Sequence, residues 1–290
     1  MTANRVIGVD LGGTKVLAGV VDEHGELHET VERPTVTTSQ RALLDELADV
    51  VQSLPQEGVR AVGFGIPTRV DAASGRAVGA AVNVPVRDVA FRGEMHKRLH
   101  LPVEIENDAS CAAYAEFMFG AGRGSRDLLM LTLGTGVGGG AVTAGRLFRA
   151  WTEFGHMVIV ADGEPCHGAC SGRGHVEAYC SGRAVDIRAR ELLGPEATAH
   201  DLVHDHHPFL VEVGHLLGIA IGSLVNIFGA TRVVIGGGFG AAAFDQLVAP
   251  ARLSVLREAL SPAGQSLEIE PAQLAAAGVI GAGLLAFEAA

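Results

Sequence analysis

The sequence predicts an α/β fold made of two related halves, and three observations carry that expectation. Segments with strand-like and helix-like patterns alternate along the chain. Residues 9–18 and 131–142 share one plan, a hydrophobic strand, a glycine-rich turn with a threonine, and a second strand. At roughly 150 residues per domain, the length of 290 residues accommodates two domains.

In chain order, residues 6–9 are a short β-branched run ending at Asp10. A Gly-Gly-Thr turn follows, 15–21 reads as a second strand, and 30–34 as a third beyond the His24-Gly25 turn. Leu43, Leu44, Leu47, Val50, Val51 and Leu54 recur at helical spacing over 39–54, with Ser39 placed as N-cap. A strand returns over 59–66. A short helix over 93–99 stops before Pro102. Residues 103–105 form a strand that reaches Asn107-Asp108, and 109–119 are helical. Beyond a small-residue stretch at 120–125, a strand over 128–133 runs into a glycine-rich turn and resumes over 140–142. Residues 151–180 are irregular and dense in Gly, His and Cys. A long helix over 208–228, a strand over 232–235, a helix over 244–260 and an Ala-rich helical end over 272–290 complete the pattern. The expected domains are 1–120, with the helix 275–290 packing back on it, and 121–274, carrying the Cys/His loop.

The formal net charge of −11 argues against a sequence-independent nucleic-acid binder, which needs a basic face. It also means that a phosphate would be held by local backbone N–H groups. Residues 1–5 lead into a strand without a signal-like apolar run. The longest uncharged run, 216–231, contains Gly218, Gly222, Ser223 and Asn226, and it falls short of the ~20 apolar residues of a membrane span. The expectation is a cytoplasmic enzyme with neither a membrane nor a nucleic-acid partner. Cys166, Cys170 and Cys180 lie close together, with Cys111 apart, which in a cytosolic chain suits a metal site better than a disulfide framework.

Five constellations carry chemistry. Asp10, Gly12, Gly13, Thr14 and Lys15 form a turn whose backbone N–H groups can approach a phosphate, with Asp10 placed to orient a Mg²⁺-bound water; an ordinary hairpin is the alternative. Gly134, Thr135, Gly136, Gly138, Gly139 and Gly140 are taken as a hairpin tip. Each glycine there costs roughly 0.5–1 kcal/mol relative to Ala, so the excess points to a ligand pressed against backbone. The motif lacks the Lys-Ser/Thr of a Walker loop. Gly236, Gly237, Gly238 and Phe239 stand between a strand and a helix and admit an adenine or ribose beside Phe239, or else serve tight packing. Asn107-Asp108 ends a strand where α/β proteins place ligand groups, and either residue can cap the next helix. His156, Cys166, Cys170 and His175 supply a tetrahedral Zn²⁺ ligand set, with His167 an alternative to Cys166.

Together and in this order, these motifs resemble the ROK family of bacterial sugar kinases and sugar-responsive repressors, and within it the glucokinases. The resemblance implies a two-domain actin-like ATPase (ribonuclease H-like) fold with a ligand cleft between domains. It implies ATP with Mg²⁺ as phosphoryl donor, one structural Zn²⁺, a hexose acceptor phosphorylated at the 6-hydroxyl, and a homodimer or homotetramer. It makes Asp108 the catalytic carboxylate and gives Asn83, Asn107, Asp108, Glu153, His156 and Glu177 to the sugar. The glycine loops and Phe239 would take ATP. Two departures stand out. The family's C-x-C-G-x-x-G-C-x-E segment here has a longer first gap and His175 in place of the last cysteine. Ile66-Pro67-Thr68 stands where a Pro-Gly turn is common. Glucose is the expected acceptor, with N-acetylglucosamine, N-acetylmannosamine, fructose or mannose as alternatives and polyphosphate as an alternative donor. A transcriptional regulator is the rival from another class, disfavoured by the negative charge and by the nine residues before Asp10.

Overall fold

Strand β1 (Arg5–Leu11) carries no polar residue from Val6 to Val9 because both of its faces are covered there. Ile7, Val9 and Leu11 enter one core with Leu43, Leu47, Val51, Phe64 and Phe91. Val6 joins Val21, Ala61, Val279 and Ala286 on the opposite face. The structure is a computed structural model, and it describes residues 4–81, 83–168 and 170–290. The chain divides into two compact units.

The first unit takes Met1–Phe119, Phe148–Trp151 and Leu274–Ala290. After β1 come β2 (Lys15–Asp22), β3 (Leu27–Pro34), α1 (Gln40–Gln52), β4 (Val59–Ile66), β5 (Arg69–Asp71), β6 (Arg76–Val78), α2 (Phe91–Leu99), β7 (Val103–Asn107) and α3 (Asp108–Phe119). The main sheet has the order β3-β2-β1-β4-β7. Helix α1 starts where Ser39 Oγ accepts the Ala42 N–H at 3.1 Å, as the cap residue leads one to expect. The C-terminal helix, Ala277–Phe287, crosses the other face of the sheet. A Cβ on Gly8 would overlap the Val279 carbonyl, and one on Gly63 would overlap that of Ala282. Helix and sheet therefore meet backbone to backbone.

The second unit takes Gly120–Leu147 and Thr152–Gln273. It contains β8 (Leu128–Leu133), β9 (Val137–Thr143), β10 (Arg146–Leu147), a 3₁₀ turn at Phe154–His156, α4 (Glu177–Cys180), α5 (Gly182–Leu193), α6 (Ala199–His204), α7 (Phe209–Phe228), β11 (Arg232–Gly236), α8 (Gly238–Glu258), α9 (Ala263–Ser266) and β12 (Glu268–Pro271). The sheet order, β10-β9-β8-β11-β12, repeats that of the first unit. In each, the first three strands pair antiparallel and the last two join in parallel. Helix α7 is long and apolar enough to span a membrane, but it buries Leu210, Val213, Leu217, Ile221 and Leu224 in the core of this unit.

The structure departs from the sequence pattern in several places: β5, β6, α5 and α6 are not expected from it, and the C-terminal helix spans Ala277–Phe287 and not 272–290. Helix α8 begins at Gly238, not at 244, because glycines with low helical propensity form its first turn. Strand β9 begins at Val137, so Gly138, Gly139 and Gly140 lie inside a strand and only Gly134, Thr135 and Gly136 form the tip. Strand β12 carries Glu268, Glu270 and Pro271, poor strand formers tolerated at a sheet edge.

Candidate active site

In the first unit, β1, β4 and β7 end side by side. Asp10 lies opposite Gly65 of β4, and Gly65 lies opposite Glu106 of β7. Asp108 follows directly as the first residue of α3. Asn107 Oδ1 accepts the Ser110 N–H at 3.1 Å, so Asn107 is the cap. Asp108 instead accepts the Ala109 N–H on Oδ1 at 2.8 Å. Asn107 is held further by its Nδ2, 3.5 Å from the Thr68 carbonyl, and by its backbone N–H, which donates to Glu106 Oε1 at 2.9 Å. Burial first, and the neighbouring Asp108 carboxylate second, push the Asp10 carboxyl up to about 7, with Lys15 opposing. Two carboxylates in one low-dielectric corner suit a divalent cation.

The turn that follows Asp10 is braced from outside. The Gly12 N–H donates to the Lys15 carbonyl at 2.9 Å. Thr35 Oγ donates to the Gly12 carbonyl at 2.7 Å, and the Thr35 N–H donates to the Thr14 carbonyl at 2.9 Å. The Lys15 ammonium is exposed and paired with Glu32 at 2.7 Å. Asn83 packs against Gly13, where an added Cβ would come within 2.8 Å of the asparagine Cβ. Its neighbour Val82 lies outside the described residues.

In the second unit, two glycine motifs abut. Gly237, at φ +80°, leaves no room for a Cβ against the Leu133 backbone, so the turn before α8 sits on the end of β8. The Gly182 N–H at the start of α5 donates to the Gly134 carbonyl at 2.7 Å. The N-termini of α5 and α8 thus flank the tip at Gly134, Thr135 and Gly136, an arrangement suited to anions. Phe239 lies in the first turn of α8 and packs into the core of this unit. Gly138 is a strand residue paired with Thr132, and Gly139 makes room for the Phe154 ring, so the glycine excess there answers partly to packing.

Glu177, at the start of α4, accepts the Val137 N–H on Oε2 at 2.9 Å and so stands on the same glycine hairpin. Gly136 allows this approach, because a Cβ there would collide with the Glu177 carboxylate. Glu153 precedes the turn at Phe154–His156, which is anchored by the buried Phe154. His156 belongs to a cluster with Cys166, Cys170 and His175 whose ligand atoms all lie within 4.8 Å of one another. His156 Nδ1 and His175 Nδ1 are 3.3 Å apart, Cys166 Sγ is 3.7 Å from His156 Nδ1, and Cys170 Sγ is 3.6 Å from His175 Nδ1. A tetrahedron with metal–N bonds of ~2.05 Å and metal–S bonds of ~2.3 Å has edges of ~3.3 and ~3.6 Å. The donor set therefore fits one cation, and Cys166, not His167, is the member. Ala169 lies outside the described residues.

Sequence reading did not single out Ser181, Gly182 or Arg149. Ser181 Oγ accepts the Ala184 N–H and caps α5 at the Gly134 carbonyl, and the Ser-Gly pair was its only signal. Arg149, a lone arginine in a loop, pairs with Glu104 and Glu106 of β7.

The ROK family profile matches residues 6–289. A glucokinase of Streptomyces coelicolor is 35% identical over 266 residues, covering 80% of this chain and 81% of its own. Among solved structures, a ROK hexokinase from Thermus thermophilus superposes with a TM-score of 0.83 at 30% identity over 98% of both chains. A ROK family glucokinase from Streptomyces griseus, in complex with glucose and AMPPNP, gives 0.82 at 29% identity over 98% of this chain and 99% of that one.

Proposed function

The chain belongs to the ROK family, and from that premise we propose that it is an ATP-dependent hexose kinase that phosphorylates glucose at the 6-hydroxyl. The observation that carries the reading is the strand-end corner of Asp10 and Asp108, where Asn107 and not Asp108 takes the helix cap. Asp108 accepts the proton of the 6-hydroxyl as that oxygen attacks the γ-phosphorus of ATP in line. The turns at Gly12, Gly13 and Thr14, at Gly134, Thr135 and Gly136, and at Gly236, Gly237 and Gly238 hold the nucleotide through backbone N–H groups. Asp10 is the residue for Mg²⁺, which when bound neutralises phosphate charge. Catalysis is then largely positioning and charge stabilisation.

Asn83, Asn107, Glu153, His156 and Glu177 are the hydroxyl-reading residues. A site built to pair a sugar OH rejects analogues that lack it, because buried polar groups go unpaired. The Cys166/Cys170/His156/His175 cluster is proposed to hold one structural Zn²⁺, tying the turn of His156 to the segment that carries His175 and Glu177. The protein is placed in the cytoplasm as a homodimer or homotetramer. Ile227, Leu253, Leu256 and Leu260 on or beside α7 and α8 are 71%, 63%, 56% and 75% exposed and offer apolar surface for such contacts.

The test is Asp108→Asn. Glucose binding is expected to persist while turnover falls by at least ~10²-fold, the scale of a general base; near-normal turnover defeats the assignment. Sugar-phosphate formation measured over a sugar panel, with ATP and with polyphosphate as donors, separates glucose from N-acetylglucosamine, N-acetylmannosamine, fructose and mannose and one donor from the other.

A further inference from the structure

The buried Glu106 carboxylate has a structural task. Its Oε1 accepts the Asn107 N–H at 2.9 Å, at the turn from which Asn107 caps α3 and Asp108 projects. Its Oε2 meets Arg149 Nε at 3.0 Å, and its side chain is only 4% exposed. The same guanidinium reaches Glu104 at 2.7 Å, the Ile105 carbonyl at 3.3 Å and Glu288 at 3.7 Å. Arg149 comes from Phe148–Trp151, the short segment that belongs to the first unit. Trp151 fastens the same segment by donating its Nε1–H to the Val70 carbonyl at 3.2 Å.

The neighbourhood is otherwise acidic. Burial foremost holds the Cys111 thiol well above its usual value, Glu106, Asp10 and Asp108 add to this, and Arg149 opposes them. A buried carboxylate that loses its partner either takes a proton or swings toward water, and swinging would release the Asn107 N–H.

We propose that Arg149 is a positioning residue for phosphoryl transfer. It neutralises Glu106 so that this carboxylate stays in place under Asn107, and thereby fixes the orientation of Asp108. The inference rests on the reading of Asp108 as the base.

Four variants of the full chain test it, with kcat and both KM values measured and folding followed by thermal melting. Arg149→Met is expected to lower kcat at least about tenfold with KM for ATP within about twofold, because misplacing a reacting group by an ångström costs up to ~10²-fold. In Arg149→Met/Glu106→Gln, the amide keeps an acceptor for the Asn107 N–H without a charge to neutralise. Its kcat is expected within about threefold of Glu106→Gln alone, a rescue that mere fastening of the segment does not predict. This comparison decides the matter even where Arg149→Met alone fails to fold. Normal turnover in Arg149→Met, or a folded double variant more than about tenfold slower than Glu106→Gln, overturns the proposal. Asp108→Asn is the fourth variant, and normal turnover there overturns the base assignment itself, whatever the Arg149 variants do.

Discussion

Glu177 accepts the backbone N–H of Val137 at 2.9 Å, which binds the carboxylate after the Cys/His cluster to the first strand residue past the Gly134–Gly136 tip. A proposed sugar ligand and a proposed nucleotide loop are thereby one mechanical object. The carboxylate satisfies a backbone donor at a tight tip, and Gly136 leaves it the space to do so.

Removing that acceptor has a measurable consequence without any ligand. Glu177→Ala leaves the Val137 N–H unpaired and is expected to destabilise the protein by about 1–3 kcal/mol, whereas Glu177→Gln keeps an acceptor and loses less than about 1 kcal/mol. Urea denaturation of both variants makes the comparison. Equal stabilities would show that water replaces the carboxylate at no loss.

Asp10 gives a pH dependence of definite sign. Its folded value, about 7, lies above the unfolded 3.8. Between those values the native state holds a proton that the unfolded chain has released, so stability falls as pH rises from about 4 to about 7 and levels off above. Asp10→Asn removes this loss and is expected to stabilise the metal-free protein at pH 8 by up to roughly 4 kcal/mol, while activity is lost. Denaturant midpoints at pH 5 and pH 8 give the answer; a variant no better at pH 8 than at pH 5 contradicts it.

Metal analysis after gel filtration is expected to find about one zinc per chain. Burial and the Cys170 thiol push Cys166 up to about 11, and a bound cation would reverse that by favouring the thiolate. Chelation is therefore expected to lower the melting temperature and raise KM for the sugar more than KM for ATP, since His156 and Glu177 lie on the segments that the cluster joins. An active, folded sample without zinc rejects the site.

The C-terminal helix offers a fourth test, on the fold. Gly63→Ala puts a methyl group into the Ala282 carbonyl. With backbone on the far side, little can yield, and the expected loss is about 3 kcal/mol or more. Thermal melting and limited proteolysis report it, and a variant that melts like the parent would falsify the backbone-to-backbone contact.

Much of this was legible before any coordinates. Strand β8 and helix α1 stand in the sequence with their cap and their periodicity, because hydrophobic spacing and a Ser N-cap are local signals. The Cys/His cluster was legible too, since its members come from one short stretch whose chemistry is recognisable by residue type. Other features were not. Strand β12 is held by one neighbour against its own composition. The core packing of Phe239 is not announced by the glycine run before it, because its partners come from distant segments. Arg149 gave no signal, since its partners Glu104 and Glu106 lie more than forty residues away in sequence.

The sequence alone determined the alternation of elements, the repeated strand–turn–strand plan and the chemical inventory of carboxylates, glycines and soft metal ligands. These follow from side-chain periodicity and backbone freedom, which act between near neighbours. Only the tertiary structure decided that Asn107 takes the helix cap and Asp108 does not, which glycines serve packing, and that Cys166, not His167, stands in the Cys/His cluster. Those outcomes depend on how distant segments exclude one another from the same space and pair their buried polar groups, and no local pattern encodes that competition.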